Sequence, residues 1–184
     1  MVKEEEFSVI LPDRKFALEL LGKLKVPFSV RQHSIKVAEK SLEIANKINK
    51  AKELVDKNLI EIGALLHDIG RSKSHGFNHA LIGAKILRER GFPEKLAKIC
   101  ETHILGGLDK EDAQMAGIPV RNYFPSTLEE KVICLADKHL AGKREVSLKE
   151  RFNIWFNKYG KTKILLKSKK RIEKIQKEIE NLME

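Results

Sequence analysis

The chain has 184 residues, 42% hydrophobic and 34% charged, a length and balance that suit one domain with a real core. No apolar run approaches the roughly 20 residues that cross a bilayer, and the acidic start MVKEEEFSVI lacks a signal-peptide core, so a cytoplasmic location is expected. The net charge of +10 is uneven, because residues 141–184 hold 13 Lys/Arg against 6 Asp/Glu.

Helical periodicity runs through almost every segment in chain order. Asp13, after Pro12, caps a first helix reaching about Gly22. Ser29 caps a long second helix over RQHSIKVAEKSLEIANKI, on which His33, Val37, Ile44 and Ile48 share a face. Asp56 caps a third helix that ends at HDIG. A fourth runs from about Asn78 to Glu89 with Gly91 as its stop, and a fifth opens at Pro93 and carries LAKICETHIL. The short helix KEDAQMAG ends at Gly117, and IPVRNYFPS is a loop. Ser126 with Glu129, and Ser147 with Glu150, form capping boxes for two more helices, the second closed by Gly160. Phe152, Trp155, Phe156 and Tyr159 on that helix cluster at helical spacing and read as core. A last helix spans about 168–183, and no segment alternates as a strand. The expected fold is all-α: a compact helical bundle over residues 1–140, with a basic helical extension over 141–184 packed on or beside it. Cys100 and Cys134 sit in apolar patterns without a CxxC partner and are expected to be buried, reduced thiols.

Polar groups occupy several positions where apolar ones belong. His33 lies on the inward face of its helix, His67 and Asp68 end the most apolar helix, and Asp137 lies between Ile133 and Leu140. An unpaired carboxylate there would cost several kcal/mol or would protonate. A bound cation removes that cost, and imidazole with carboxylate suits transition metals or Mg²⁺/Mn²⁺ better than calcium. Plainer readings exist for each residue taken alone. His33 can be a satisfied core histidine, Asp68 a backbone cap, and Asp137 the partner of Lys138 or Arg144. The adjacent pair His67-Asp68 constrains the geometry further, since helical neighbours point about 100° apart. Both reach one ion only at a helix end, an ending that Gly70 permits.

The ordered set His33, His67-Asp68 and Asp137 resembles the HD superfamily of metal-dependent phosphohydrolases, and HDIG at 67–70 resembles its HDIG subgroup. The likeness implies that His33, His67, Asp68 and Asp137 hold one metal ion. It further implies that His79, opening HALIGAKIL, and His103, in ICETHIL, hold a second ion with Asp68 as the bridge. One or two divalent ions among Mn, Mg, Fe, Co, Ni and Zn are therefore expected. Metal-activated water would cleave a phosphate ester or anhydride of a nucleotide-like substrate. Asp68 and Arg71 are the expected catalytic residues, and Arg71, Lys73 and His75 the expected substrate contacts, with Arg121 and Lys138 as further candidates. His139, two residues after Asp137, is expected at the surface. Two other classes share these ligands: a di-iron oxygenase acting on a polyol or phosphonate, and a nucleotide-binding regulatory module. Cyclic-dinucleotide phosphodiesterases of the superfamily carry Lys three residues after the HD aspartate and a later GYP motif. Here Arg71 and ILGGLDK stand instead, which argues against that substrate. The basic C-terminal region offers a place for nucleic acid, but RIEKIQKEIE alternates its charges like a solvated helix, so a small substrate is favoured and no membrane partner is expected.

Overall fold

Regular structure in the computed structural model, which describes residues 11–51 and 54–183, consists of nine α-helices and one small hairpin among those residues. MVKEEEFSVI, on which the signal-peptide reading rests, lies outside them. Among the described residues no helix is long and apolar enough to cross a membrane.

Helix α1 (Arg14–Lys23) begins where the Asp13 carboxylate accepts the Phe16 N–H at 2.7 Å. Helix α2 (Phe28–Ala51) starts directly after Pro27, whose carbonyl accepts the Arg31 N–H. Ser29 therefore sits inside the first turn and does not cap it. Helix α3 (Lys57–Leu66) is capped by Asp56, which accepts from Asn58 and Leu59. It is the central post, packed against α1, α2, α5 (Glu94–Thr102) and α7 (Leu128–Lys138). Ile60, Ile62, Leu65 and Leu66 on α3 are wholly buried, each worth about 1.5–3 kcal/mol relative to exposure. That burial fixes the position of the helix end, where the chemistry lies.

Helix α4 (His79–Glu89) lies against α5 and against a 3-10 turn at Ile69–Ser72. Helix α6 (Lys110–Met115) carries a reciprocal capping box between Asp109 and Asp112. At α7 the cap is Thr127, one residue later than Ser126, and Glu130 takes the acidic role. Glu129 instead accepts the Asp56 N–H and ties α7 to the start of α3.

A two-stranded antiparallel hairpin, β1 (Leu140–Ala141) with β2 (Arg144–Glu145), follows α7, contrary to the strand-free expectation. Two residues per strand are too few to alternate visibly, and Gly142 (φ 65°) makes the turn. Helix α8 (Leu148–Tyr159) is capped by Ser147, and α9 (Lys163–Glu180) by Thr162. Thr162 starts α9 five residues before the expected 168, and Leu165 is already buried there. Phe152 on α8 and Ile172, Ile175 and Ile179 on α9 belong to the same apolar core as α3 and α7. Cys100 and Cys134 are buried free thiols.

Candidate metal centre

Five helix termini deliver the polar cluster. His33 comes from the second turn of α2, His67 and Asp68 from the end of α3, His79 from the first residue of α4, His103 from just past α5, and Asp137 from the last turn of α7. At the end of α3, His67 keeps helical angles (φ −53°, ψ −34°), whereas Asp68 (φ −103°, ψ 14°) has left the helix. That change in backbone lets two adjacent side chains aim into one space. His67, Asp68, His79, His103 and Asp137 are buried and His33 is partly so.

Each of the four imidazoles uses Nδ1 on a main-chain carbonyl. His33 donates to Gly142 at 2.8 Å, His67 to Ala64 at 2.7 Å, His79 to Gly76 at 2.6 Å and His103 to Cys100 at 2.8 Å. A carbonyl only accepts, so Nδ1 holds the hydrogen, and in a neutral ring Nε2 presents a lone pair. These Nε2 atoms converge on the two carboxylates. His33 Nε2 lies 2.9 Å from Asp137 Oδ1, His79 Nε2 lies 3.0 Å from Asp68 Oδ1, and His103 Nε2 lies 3.5 Å from the same oxygen. His79 and His103 bring their Nε2 atoms within 3.3 Å of each other. Two donors at right angles, each about 2.1 Å from one ion, lie about 3.0 Å apart. Buried lone pairs facing one another at that spacing need a cation or protons between them. His67 Nε2 and Asp68 Oδ1 make no well-formed hydrogen bond. Asp68 is common to two triplets, one with His33 and His67 and one with His79 and His103. Four imidazoles and two carboxylates so placed fit one or two divalent ions of the Mn, Fe, Co, Ni, Zn or Mg type.

Electrostatics favour the ligand forms of His67, His103 and the two carboxylates, with His33 the exception. Burial pushes His67 down to about 4 and lowers His103, which favours neutral rings. Burial would raise Asp68 and Asp137, but the charges around them outweigh it. In the metal-free protein, protons shared with His67, His103 and His79 hold Asp68 well below the usual carboxylate range, and Lys138 with His33 does so for Asp137. At His33, burial acts downward, but contact with Asp137 leaves the ring raised above its ordinary 6.5.

Gly70 has a different role from the one the sequence suggests. Its backbone is not left-handed, yet a Cβ there would lie 1.9 Å from the His79 carbonyl and 2.6 Å from the Gly83 nitrogen. The glycine lets the turn after Asp68 touch the first turn of α4, and that contact seats His79. After His103 the chain passes through three left-handed residues, Leu105, Gly106 and Gly107 (φ 54°, 74° and 94°). A Cβ at Gly106 would lie 2.9 Å from Ile172, so this turn is shaped by α9 packing on it.

His33, Asp68, His79, His103 and Asp137 line a cavity of about 900 Å³, with His67 wholly buried behind them. Arg71 lines it too, with Nε donating to Asp68 Oδ2 at 2.8 Å and a second nitrogen 3.3 Å from the His75 carbonyl. His75 is an exposed residue of the cavity wall. Lys73 is exposed and lies outside the cavity, because it closes the 3-10 turn with its side chain in solvent. Lys138 is buried, lines the cavity, pairs with Asp137 and donates to the His103 carbonyl at 3.1 Å. Arg121 is outside, engaged by Glu101 at 3.0 Å and stacked on Tyr123. His139 is half-buried and not at the surface, with Nδ1 donating to the Val146 carbonyl at 3.1 Å. Arg151, Trp155 and Tyr159 of α8 also line the cavity. Of the four aromatics expected in the core, Phe152 is there, Trp155 and Phe156 pack against it with Trp155 also lining the cavity, and Tyr159 is exposed on the cavity wall. The four-residue spacing of Arg151, Trp155 and Tyr159 marks one helix stripe but does not tell which side it faces.

The HD domain family profile matches residues 30–142. An uncharacterized protein of Methanocaldococcus jannaschii is 42% identical over 155 residues, 84% of this chain and 90% of that protein. The tRNA (cytidine(56)-2'-O)-methyltransferase of Thermoplasma volcanium is 39% identical over 141 residues, 77% of this chain but only 40% of the longer relative. Among solved structures, the HD domain of the L. monocytogenes phosphodiesterase PgpH in complex with cyclic-di-AMP superposes with a TM-score of 0.53. It has 18% sequence identity, with coverage of 89% of this chain and 95% of that chain, a likeness of fold.

Proposed function

The chain belongs to the HD-domain family, and on that premise we propose that it is a metal-dependent phosphohydrolase of the HDIG subgroup. Its substrate class is a phosphate ester or anhydride of a nucleotide-like molecule. One observation carries this reading: four imidazole lone pairs and two carboxylates converge, with His67 Nε2 and Asp68 Oδ1 left without hydrogen bonds, in a cavity that the cations Arg71 and Lys138 share. Oriented cations beside a metal-binding cluster match what a phosphoryl group requires.

His33, His67, Asp68 and Asp137 would hold one ion, and Asp68, His79 and His103 a second. When bound, a divalent ion brings the ionisation of water towards neutral pH and withdraws charge from a phosphoryl oxygen. The carbonyls of Gly142, Ala64, Gly76 and Cys100 fix the ring tautomers and orientations, so no rotation is needed when a ligand arrives. Arg71, steered by Asp68, keeps N–H donors free for a phosphoryl oxygen, with the planar fork that lysine lacks. Lys138 adds a buried point charge next to Asp137. In this reading residues 1–140 carry the metal centre, and the extension at 141–184 completes the cavity wall.

RNA is the second reading for the substrate, favoured by a partial likeness to a ribonuclease Y of Acidothermus cellulolyticus, 37% identical over 86 residues, 46% of this chain and 17% of that protein. Both readings are tested by elemental analysis of untreated protein, followed by phosphate release with Mn²⁺, Co²⁺, Ni²⁺ or Mg²⁺. The panel spans mononucleotides, dinucleoside polyphosphates, cyclic dinucleotides and short RNA. Metal-dependent release from at least one substrate is expected. Two bound irons with oxygen uptake on a polyol or phosphonate, and no phosphate release, would overturn the assignment.

A further inference from the structure

The cavity has a wall that the metal cluster does not use. Helix α8 presents Arg151, Trp155 and Tyr159 at successive four-residue steps, so one stripe of the helix faces the cavity. The Arg151 guanidinium carbon lies 4.4 Å from the centre of the Trp155 ring. That stacking holds the guanidinium plane but satisfies none of its N–H groups. The Arg151 Nε is buried and without a hydrogen-bond partner. Arg88, Arg121 and Arg171 behave differently, since the first two reach Glu101 and the third reaches Asp109 and Asp112, while Arg31 shares the unpartnered buried Nε but does not line the cavity. Arg151 makes no ion pair of that kind among the described residues. The terminal guanidinium N–H groups make no hydrogen bond or ion pair among the described residues either, so a cavity-lining cation has donors free for an anion that enters. Beside the guanidinium, Trp155, Tyr159 and Val30 supply aromatic and apolar surface of the kind that accepts a planar ring.

We propose that Arg151 and Trp155 form the recognition site for a nucleoside phosphate, with the guanidinium binding a phosphate oxygen and the base packing against Trp155 and Tyr159. The inference rests on the phosphohydrolase reading for its context and narrows the substrate to phosphates that carry an aromatic base. It also assigns specificity to the C-terminal helices, while the metal cluster supplies reactivity. A free mononucleotide and the terminal nucleotide of an RNA share this chemistry.

Trp155 is the only tryptophan in the chain, so its fluorescence reports occupancy of the site without reference to turnover. The experiment follows quenching on stopped-flow mixing of the whole protein with each of the four 5′-nucleoside monophosphates, the four nucleosides, inorganic phosphate and a 5′-phosphorylated oligoribonucleotide. At least one monophosphate is expected to quench saturably and to bind more tightly than its nucleoside. Arg151→Gln is expected to weaken that monophosphate by about 10-fold or more and to leave nucleoside binding unchanged. Arg151→Lys, which keeps the charge, recovers part of the loss and serves as the informative variant if the glutamine form does not fold. Equal binding by wild type and variant overturns the proposal. So does an equal loss for nucleoside and monophosphate, which would mark a packing role, and so does the absence of quenching by any of the four. Tighter binding of the oligoribonucleotide than of the monophosphate assigns the site to an RNA end. Arg151-dependent binding with no phosphate release from any substrate leaves this inference standing and defeats the hydrolase reading. Metal-dependent hydrolysis with binding indifferent to Arg151 does the reverse.

Discussion

Around Asp112 every charge is answered, whereas around Asp68 the polar atoms face one another. Asp112 is 1% exposed, accepts the Asp109 N–H, and pairs with Arg171 at 2.7 Å and Lys167 at 3.3 Å. Asp109 takes the Asp112 N–H, Lys167 at 2.8 Å and Arg171 at 2.7 Å. Arg171 also donates to the Gly107 carbonyl at 2.8 Å. This network is closed: its donors and acceptors are spent on one another, and the product is a clamp holding α9 against the turn that leads into α6. The second network uses similar residue types to the opposite end. Its imidazole N–H groups are spent on carbonyls, so that the lone pairs on the other side remain open. Buried polar groups that satisfy each other serve the fold, and those that leave acceptors aimed at one point serve a ligand.

Substitutions at the two aspartates should break this comparison most visibly. Asp68→Asn is expected to lower hydrolysis by about 10³-fold or more while the metal-free protein still folds. An activity within a few-fold of wild type would remove Asp68 from the chemistry. Gly70→Ala comes next. Its methyl group would collide with the His79 carbonyl and displace α4 at a cost of about 1–3 kcal/mol. Denaturant unfolding should show that loss, and metal titration should show weaker occupancy of the His79 side. Asp112→Ala should do the converse of Asp68→Asn. Removing a buried acceptor from Arg171 and Lys167 is expected to cost about 1–3 kcal/mol of stability, with kcat for the remaining folded protein unchanged.

The smallest effects are those of pH, and they differ between the networks. The cations beside Asp109 hold it down to about 2 against an ordinary 3.8. A depressed carboxylate stabilises the fold above its unfolded value, so the clamp's contribution is full above about 3.8 and fades as pH falls toward 2. Acid unfolding of Asp109→Asn should accordingly lack that component. His33 is raised above 6.5, so in the metal-free protein its pairing with Asp137 stabilises at low pH and is lost as pH rises through the folded value. A proton on Nε2 excludes a metal ion from the same atom. Metal affinity should therefore rise with pH from 6.5 upward, more steeply than in His33→Ala.

Much of this organisation is legible in the chain itself, since His33, the His67-Asp68 pair and Asp137 are polar intrusions into apolar helical faces. The position of the pair at a helix end follows from the geometry of neighbours on a helix. Other features depend on choices that spacing does not make. Ser126 and Thr127 offer adjacent hydroxyls, and only the entry angle of α7 selects Thr127. Arg71 and Lys73 stand two apart on a 3-10 turn, and packing decides that the first faces the cavity and the second faces solvent. The hairpin around Gly142 is too short for a periodic signal, yet its carbonyl orients His33. The stripe Arg151, Trp155, Tyr159 has the same spacing as a core stripe, and only the placement of α8 beside α9 turns it toward the site.

Crystals of the whole protein grown with Mn²⁺, measured for anomalous scattering, would test the central claim most directly. The expected map has a peak about 2.0–2.3 Å from Asp68 and from the Nε2 of His67, with His33 and Asp137 completing the shell, and a second peak between Asp68, His79 and His103. A map with these side chains in place and no manganese among them would contradict the account.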